Sequence, residues 1–325
     1  MQAVVDHPVC CLIGPTASGK SGLAMAYALT QAASASCAPV EIISLDSAQI
    51  YRGLDLGTAK PSIEERQAVA HHLIDLIEPE EPYSVARCHA DVCRTIGLIR
   101  ARGAQPLIVG GTMLYFKALA QGLDFLPQTP ESVRAALAAE AQSLGWPALH
   151  AELMKVDPQT AHRLAVNDAQ RISRALEVWR HTQKPLSAWI RESQDTPEDR
   201  LAALPMRTIA LLPEHREWLH ARIAVRFKEM VERGLLDEVQ NLMQRPGLTP
   251  EHPSMRSVGY RQAWLHLTGA LSKEAFIQKG IEATRQLAKR QITWLRSFES
   301  SGFVHALAAE TASLDQLMTV WSSPG

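Results

Sequence analysis

One stretch, "PVCCLIGPTASGKSGLAMAYAL" at residues 8–29, constrains the fold more than any other part of the chain. An apolar run of strand length feeds a glycine-rich turn, and a helical pattern follows at once. "GPTASGKS" at 14–21 fits G-x-x-x-x-G-K-[ST] in the strand–loop–helix setting that this motif requires. In such a loop the glycines let backbone N–H groups curl around phosphate oxygens, and the helix adds its positive N-terminal end. The candidate phosphate ligands are Gly14, Thr16, Ala17, Ser18, Gly19, Lys20 and Ser21. Lys20 would reach the terminal phosphate and Ser21 would ligate Mg²⁺. The motif points to phosphate binding but does not say which phosphate.

Three more short apolar runs read as buried strands: "VEIISLD" (40–46), "QPLIVGG" (105–111) and "MRTIALLP" (206–213). Helical patterns separate them, which predicts an α/β fold: a P-loop NTPase-like parallel sheet flanked by helices. Residues 126–202 contain no strand-like run, and their ends, "LPQTP" and "TPEDRLAALP", are rich in proline and polar residues. We therefore expect an inserted all-helical domain at 126–202, between core segments 1–125 and 203–325. In "NDAQRISRALEVWRHTQ", Asn167 or Asp168 is placed to cap a helix. The last fifteen residues or so read as loosely attached.

With 46% hydrophobic and 21% charged residues in 325, the chain can bury a sizeable core. Five cysteines without a C-x-x-C pair, no span long enough for a membrane helix and no basic leader predict a soluble cytoplasmic protein with reduced thiols. Nothing argues against a monomer. His71 and His72 lack a carboxylate at ligand spacing and read as structural. The net charge of −1 excludes a generic nucleic-acid coat, yet the distribution is uneven: residues 252–296 hold eight Lys or Arg against two acids. Arg285, Lys289 and Arg296 share a helical face, a plausible stripe for a nucleic-acid backbone.

Strand 40–46 ends in Asp46, at the carboxyl edge where open α/β sheets bind ligands. As a Mg²⁺ ligand it would suit a kinase, and as a base it would suit transfer to a nucleophile that carries a proton. Strand 105–111 leads instead into "GGT". From these residues alone, a P-loop small-molecule kinase using ATP and a group transferase both remain open.

Further motifs narrow the choice. "GPTASGKS", "DSAQIYRGLDLGTAKP", "HHLIDLIEPEEPYSVARC", "IVGGTMLYFKALAQGL", "NDAQRISRALEVW", "RIAVRF", "MRSVGYRQ" and "TRQLAKRQITWLR" occur in this order across residues 9–298. Together they closely resemble the tRNA dimethylallyltransferases, also called tRNA isopentenyltransferases. The resemblance implies that the phosphate loop holds dimethylallyl diphosphate rather than ATP. It implies Mg²⁺ as cofactor and the anticodon stem-loop of tRNA as partner. The reaction implied is transfer of the dimethylallyl group to N6 of adenosine 37 in tRNAs reading codons that begin with U, with no membrane involved. Asp46 resembles the family's base and Thr112 its contact to the target adenosine. An arginine in "HARIAVRF" would stabilise the leaving diphosphate, Arg222 ahead of Arg226. By the same resemblance tRNA is contacted by Asp46, Ser47, Ala48, Gln49 and Thr112; by Arg134; by Gln170, Arg171, Ile172, Ser173 and Arg174; by Arg256, Ser257, Val258, Gly259, Tyr260 and Arg261; and by Arg285, Lys289 and Arg290.

Overall fold

A computed structural model of the chain describes residues 8–34, 36–124, 126–195 and 200–322. They form two compact units, one of residues up to 120 and from 204 onward, the other of residues 121–203. The chain first runs β1 (Val9–Ile13), α1 (Lys20–Ala33), β2 (Val40–Leu45), α2 (Ile63–Ala68), β3 (His71–His72), α3 (Val85–Ala101), β4 (Gln105–Gly110) and α4 (Met113–Gln121). The smaller unit adds β5 (Leu123–Asp124), α5 (Glu131–Leu144), α6 (Trp146–Val156), α7 (Pro158–Ala161), α8 (Ala169–Thr182), α9 (Leu186–Asp195) and β6 (Arg200–Leu201). The larger unit resumes with β7 (Met206–Leu212), α10 (Arg216–Glu232), α11 (Leu235–Met243), α12 (Tyr260–Leu267), α13 (Lys273–Ser300), β8 (His305–Ala308) and α14 (Leu314–Ser322).

The sheet of the larger unit is wholly parallel, in the order β3-β2-β4-β1-β7-β8. Its strands are apolar on both faces because helices cover both. Along β1 the side chains alternate. Cys11 and Ile13 join α3, α4 and α13 through Val92, Phe116 and Leu295, whereas Leu12 joins α1 and α14 through Ala24, Tyr27 and Trp321. Register fixes the functional edge: Ile13 lies opposite Gly110 on one side and Ala210 on the other, and Gly110 lies opposite Leu45. The loops that follow β1, β2 and β4 therefore leave the sheet side by side.

The four runs read as strands all lie in this sheet. Two strands of this sheet were not foreseen, since "HH" and "HALA" are too short to stand out and neither carries a β-branched residue. The C-terminal segment corrects the expectation of a loose tail. β8 pairs with β7, and α14 buries Leu317 and Trp321. Trp321 meets Tyr27 edge-on at 4.8 Å, and its ring nitrogen donates to the Arg207 carbonyl at 3.1 Å.

In the smaller unit, α5, α6 and α8 pack through Leu137, Leu149, Leu153, Ile172 and Leu176. Asp168 caps α8, accepting from the Arg171 amide. Asp157 is a buried carboxylate. Burial raises its pKa, but bonds from the Ser187 and Thr160 amides and the Thr160 hydroxyl outweigh that and hold it below the ordinary range. The two-residue strands β5 and β6 pair antiparallel, a correction to the reading of 126–202 as strand-free.

Candidate active site

The loop between β1 and α1 folds back on itself. Ala17 at φ +64° and Gly19 at φ +94° both take left-handed backbone, and for the alanine this is a strained conformation that its surroundings must hold. The Ser18 hydroxyl inside the loop is buried and has no hydrogen-bond partner among the described residues. An unpaired buried polar group is costly unless something else satisfies it, and a phosphate oxygen would do so. Lys20 Nζ donates to the Pro15 carbonyl at 3.3 Å. Burial pushes its pKa down to about 8; Arg226 adds repulsion and Asp46 opposes both. Ser21 is exposed in the first turn of α1.

Asp46 leaves the end of β2 in a turn that its own side chain shapes, with Oδ1 accepting from the amides of Ala48 (2.8 Å) and Gln49 (3.3 Å). Its Oδ2 has no hydrogen-bond partner among the described residues. Thr112 follows β4 and does not spend its hydroxyl on capping α4. Thr112 Oγ1 accepts from the Ser47 amide at 2.9 Å and donates to the Ser47 hydroxyl. This ties the β4 loop to the residue after Asp46. Gln49 is held by Ser44 and by the carbonyls of Thr58 and Ala59.

Thr16, Lys20, Ser21, Asp46, Ser47, Ala48, Gln49 and Thr112 line one cavity of ≈ 680 Å³. From α10 it is Arg226, not Arg222, that lines it. Arg222 donates to the Ala17 carbonyl at 2.8 Å and lies over the Trp218 ring, so it braces the strained turn of the loop. Burial lowers the Arg226 pKa, with the Asp46 charge opposing. Lysine and arginine crowded against a single carboxylate make a site poised for an anion of more than one charge.

Segment 256–261 divides. Arg256, Ser257 and Val258 reach the cavity, and Arg261 is exposed. The Tyr260 ring lines the cavity wall but is fully buried, and its hydroxyl donates to Glu238 at 2.5 Å, so it is not free to stack on a base. The same Glu238 carboxylate accepts from the amides of Asp55, Leu56 and Gly57. On α13, Lys289 and Arg290 are exposed and Arg290 reaches the cavity, but Arg285 is half-buried, with an enclosed Nε that has no partner among the described residues. A residue that the sequence reading passed over is Gln291, which is 8% exposed and bonded to the phosphate loop. Its signal was its place inside "AKRQITW", next to two cations that drew the attention.

In the smaller unit Gln170 is exposed, Arg171 pairs with Asp168, and Ser173 bonds Glu177. Arg134 donates to the Thr129 carbonyl and Arg174 to that of Pro127. Ile172 is buried in the core of that unit, so its side chain is unavailable to a ligand. His72 pairs with Glu41, and His71 bonds the Val69 carbonyl. No three His, Cys, Asp or Glu side chains converge on a metal site among the described residues, and no helix among them is long and apolar enough to cross a membrane.

Comparison with known proteins gives a consistent set of relatives. A family model described as IPP transferase matches residues 49–298. The chain is 52% identical over 314 residues to a tRNA dimethylallyltransferase of Burkholderia cenocepacia, a match covering 96% of this chain and 94% of that protein. It is 53% identical over 290 residues to one of Chromobacterium violaceum, covering 89% and 86%. Among solved structures it is similar to a full-length tRNA isopentenylpyrophosphate transferase from Bacillus halodurans, with TM-score 0.64 and 32% identity, covering 96% and 94% of the two chains. It is also similar to a eukaryotic dimethylallyltransferase acting on tRNA, with TM-score 0.75 and 26% identity, covering 98% of this chain and 77% of the other.

Proposed function

Because the chain belongs to the tRNA dimethylallyltransferase family, we propose that it moves a dimethylallyl group from dimethylallyl diphosphate to N6 of adenosine 37 in tRNAs reading codons that begin with U. The kinase alternative finds no support among the relatives. The observation that carries the reading is one cavity walled by Lys20, Asp46, Thr112 and Arg226. A phosphate cradle and the Asp46 carboxylate thus face the same space.

The residues divide the chemistry. Breaking the allylic C–O bond leaves the electron pair on the diphosphate and positive charge on a delocalised five-carbon fragment. The loop amides, the Ser18 hydroxyl, Lys20 and Arg226 stabilise the departing charge. Arg222 acts at one remove, through the Ala17 carbonyl that it holds. The adenine amine is a poor nucleophile because its lone pair is conjugated into the ring. As the new C–N bond forms, Asp46 takes the N6 proton on the oxygen that the turn leaves unused. Thr112, locked to Ser47, orients the amine. The Ser21 hydroxyl, exposed in the first turn of α1, is a hard oxygen donor of the kind Mg²⁺ takes and would hold such an ion beside the diphosphate. Such an ion would supply further neutralisation of the leaving group.

The target base must leave its stack to meet the donor carbon. Arg256, Ser257, Val258 and Arg290 at the cavity, with Arg261 and Lys289 on the surface, are suited to the RNA backbone. Arg134, Gln170, Arg171 and Arg174 would add contacts from the smaller unit. We take the protein to act as a monomer, and the substrate implies the cytoplasm.

The test is mass spectrometry of an anticodon stem-loop RNA with adenosines at 36, 37 and 38. The RNA is incubated with the protein, Mg²⁺ and dimethylallyl diphosphate, and a parallel sample receives ATP. The expected result is a gain of one C5H8 unit on adenosine 37 with the prenyl donor only. No gain there, with ADP formed in the parallel sample, would overturn the reading.

A further inference from the structure

Gln291 makes two hydrogen bonds that cross the site. Its Oε1 accepts from the Thr16 amide in the phosphate loop at 3.0 Å. Its Nε2 donates to the Gly111 carbonyl in the loop after β4 at 2.7 Å. Only an oxygen can accept from the amide and only the nitrogen can donate to the carbonyl, so both ends of the side chain are committed and its orientation is fixed. The backbone beneath it is fixed too, because its α13 neighbours Ala288, Leu295 and Phe298 are buried. The space is close-fitting: a Cβ on Gly111 would lie 2.8 Å from Gln291 Nε2 and 3.6 Å from Lys20 Nζ.

The consequence lies in what each end holds. Thr16 sits in the turn that encloses the Ser18 hydroxyl, while Gly111 precedes Thr112. Thr112 is bonded to Ser47, and Ser47 follows Asp46. A continuous chain of contacts thus runs from the phosphate loop through Gln291 to the carboxylate. A second polar link between the two loops runs from the Gly14 amide to the Gly110 carbonyl at 3.3 Å, at the base where both strands end. We infer that Gln291 is a positioning residue for the transfer reaction, setting the separation between the leaving-group cradle and the Thr112–Asp46 side that receives the acceptor. It lines the cavity, but both polar ends of its side chain are already bonded to backbone. It acts by fixing how far the broken bond lies from the bond being formed, a distance to which transfer rates are steeply sensitive.

This inference rests on the reaction proposed above, and its test keeps the two apart. Gln291→Met fills nearly the same space with no polar atom able to serve both partners. Gln291→Glu keeps an acceptor for Thr16 but turns a carboxylate toward the Gly111 carbonyl. Both variants and the wild type are assayed with the anticodon stem-loop RNA and dimethylallyl diphosphate, alongside RNA affinity and melting temperature. In both variants kcat at saturating substrates should fall by about tenfold to a hundredfold, with RNA affinity and melting temperature close to wild type. A residue that only packs would leave kcat of the Met variant intact. Wild-type kcat in the Met variant, or a fall matched by an equal loss of RNA affinity, overturns the inference. Should the Met variant fail to fold, the Glu variant decides on the same criteria. No transfer by the wild type would overturn the proposed reaction, and this inference with it.

Discussion

Asp46 has two tasks that one substitution can separate. Its Oδ1 builds the turn through the Ala48 and Gln49 amides, and its other oxygen is free to take a proton. Asn keeps the acceptor and loses the base. Asp46→Asn is therefore expected to bind the anticodon RNA normally and to lose about 10²–10⁴-fold in turnover; unchanged turnover would remove Asp46 from the mechanism. Lys20 gives a second prediction. Its ammonium is pushed down to about 8 by burial, and an adjacent diphosphate favours the charged form. Donor affinity should thus be fully present below that pH and decline above it, as the free protein sheds the proton that the complex needs. KM for dimethylallyl diphosphate, measured from about pH 7 to about pH 9.5, should rise at the alkaline end. In Lys20→Arg the rise should flatten, and an identical rise there would assign the titration elsewhere. Lys20 and Asp46 were legible because a local pattern fixes each, a loop motif for one and a strand end for the other. Arg222 and Arg226 were not separable that way. They lie one turn apart on α10, and only packing decides which faces the cavity.

Among the elements, α13 combines two characters in 28 residues. One side buries Phe276, Ile281, Ala288, Leu295 and Phe298, and the other carries cations. The sequence grouped Arg285 with Lys289 by helical spacing, yet the fold encloses the Arg285 Nε and leaves Lys289 and Arg290 outside. Spacing gives the angle around a helix but not what lies beside it. The surface pair is the better probe of RNA binding. Lys289→Ala with Arg290→Ala should weaken RNA affinity and reduce the slope of log K against log salt by about 1.5–2. A wild-type slope would exclude both from backbone contact. Tyr260 shows the same limit: its motif resembles an RNA-contact segment, whereas the fold bonds its hydroxyl to Glu238 and buries its ring in the core.

The whole larger unit depends on a segment with no recognisable motif. β8 completes the sheet, Glu310 accepts from the amides of Glu214 and His215 at the start of α10, and α14 seals one face with Trp321. Trp321→Ala should lower the unfolding free energy of this unit by about 3–5 kcal/mol, read from urea denaturation; a loss within error would mean that α14 is dispensable. Composition could not reveal this, because anchoring there relies on partners more than a hundred residues away, Arg207 and Tyr27 among them.

The strand order also bears on how such a chain is born. β1 lies at the middle of the sheet, yet its neighbour β7 begins only at Met206, after the entire smaller unit. At synthesis rates of roughly 5–20 residues per second, the nascent β1 waits on the order of tens of seconds with one ladder of N–H and C=O groups unpaired. A half-made sheet with an apolar open edge is a template for wrong pairing. Ribosome-bound chains halted before β7 should recruit holdase chaperones, and chains extended past β8 should release them.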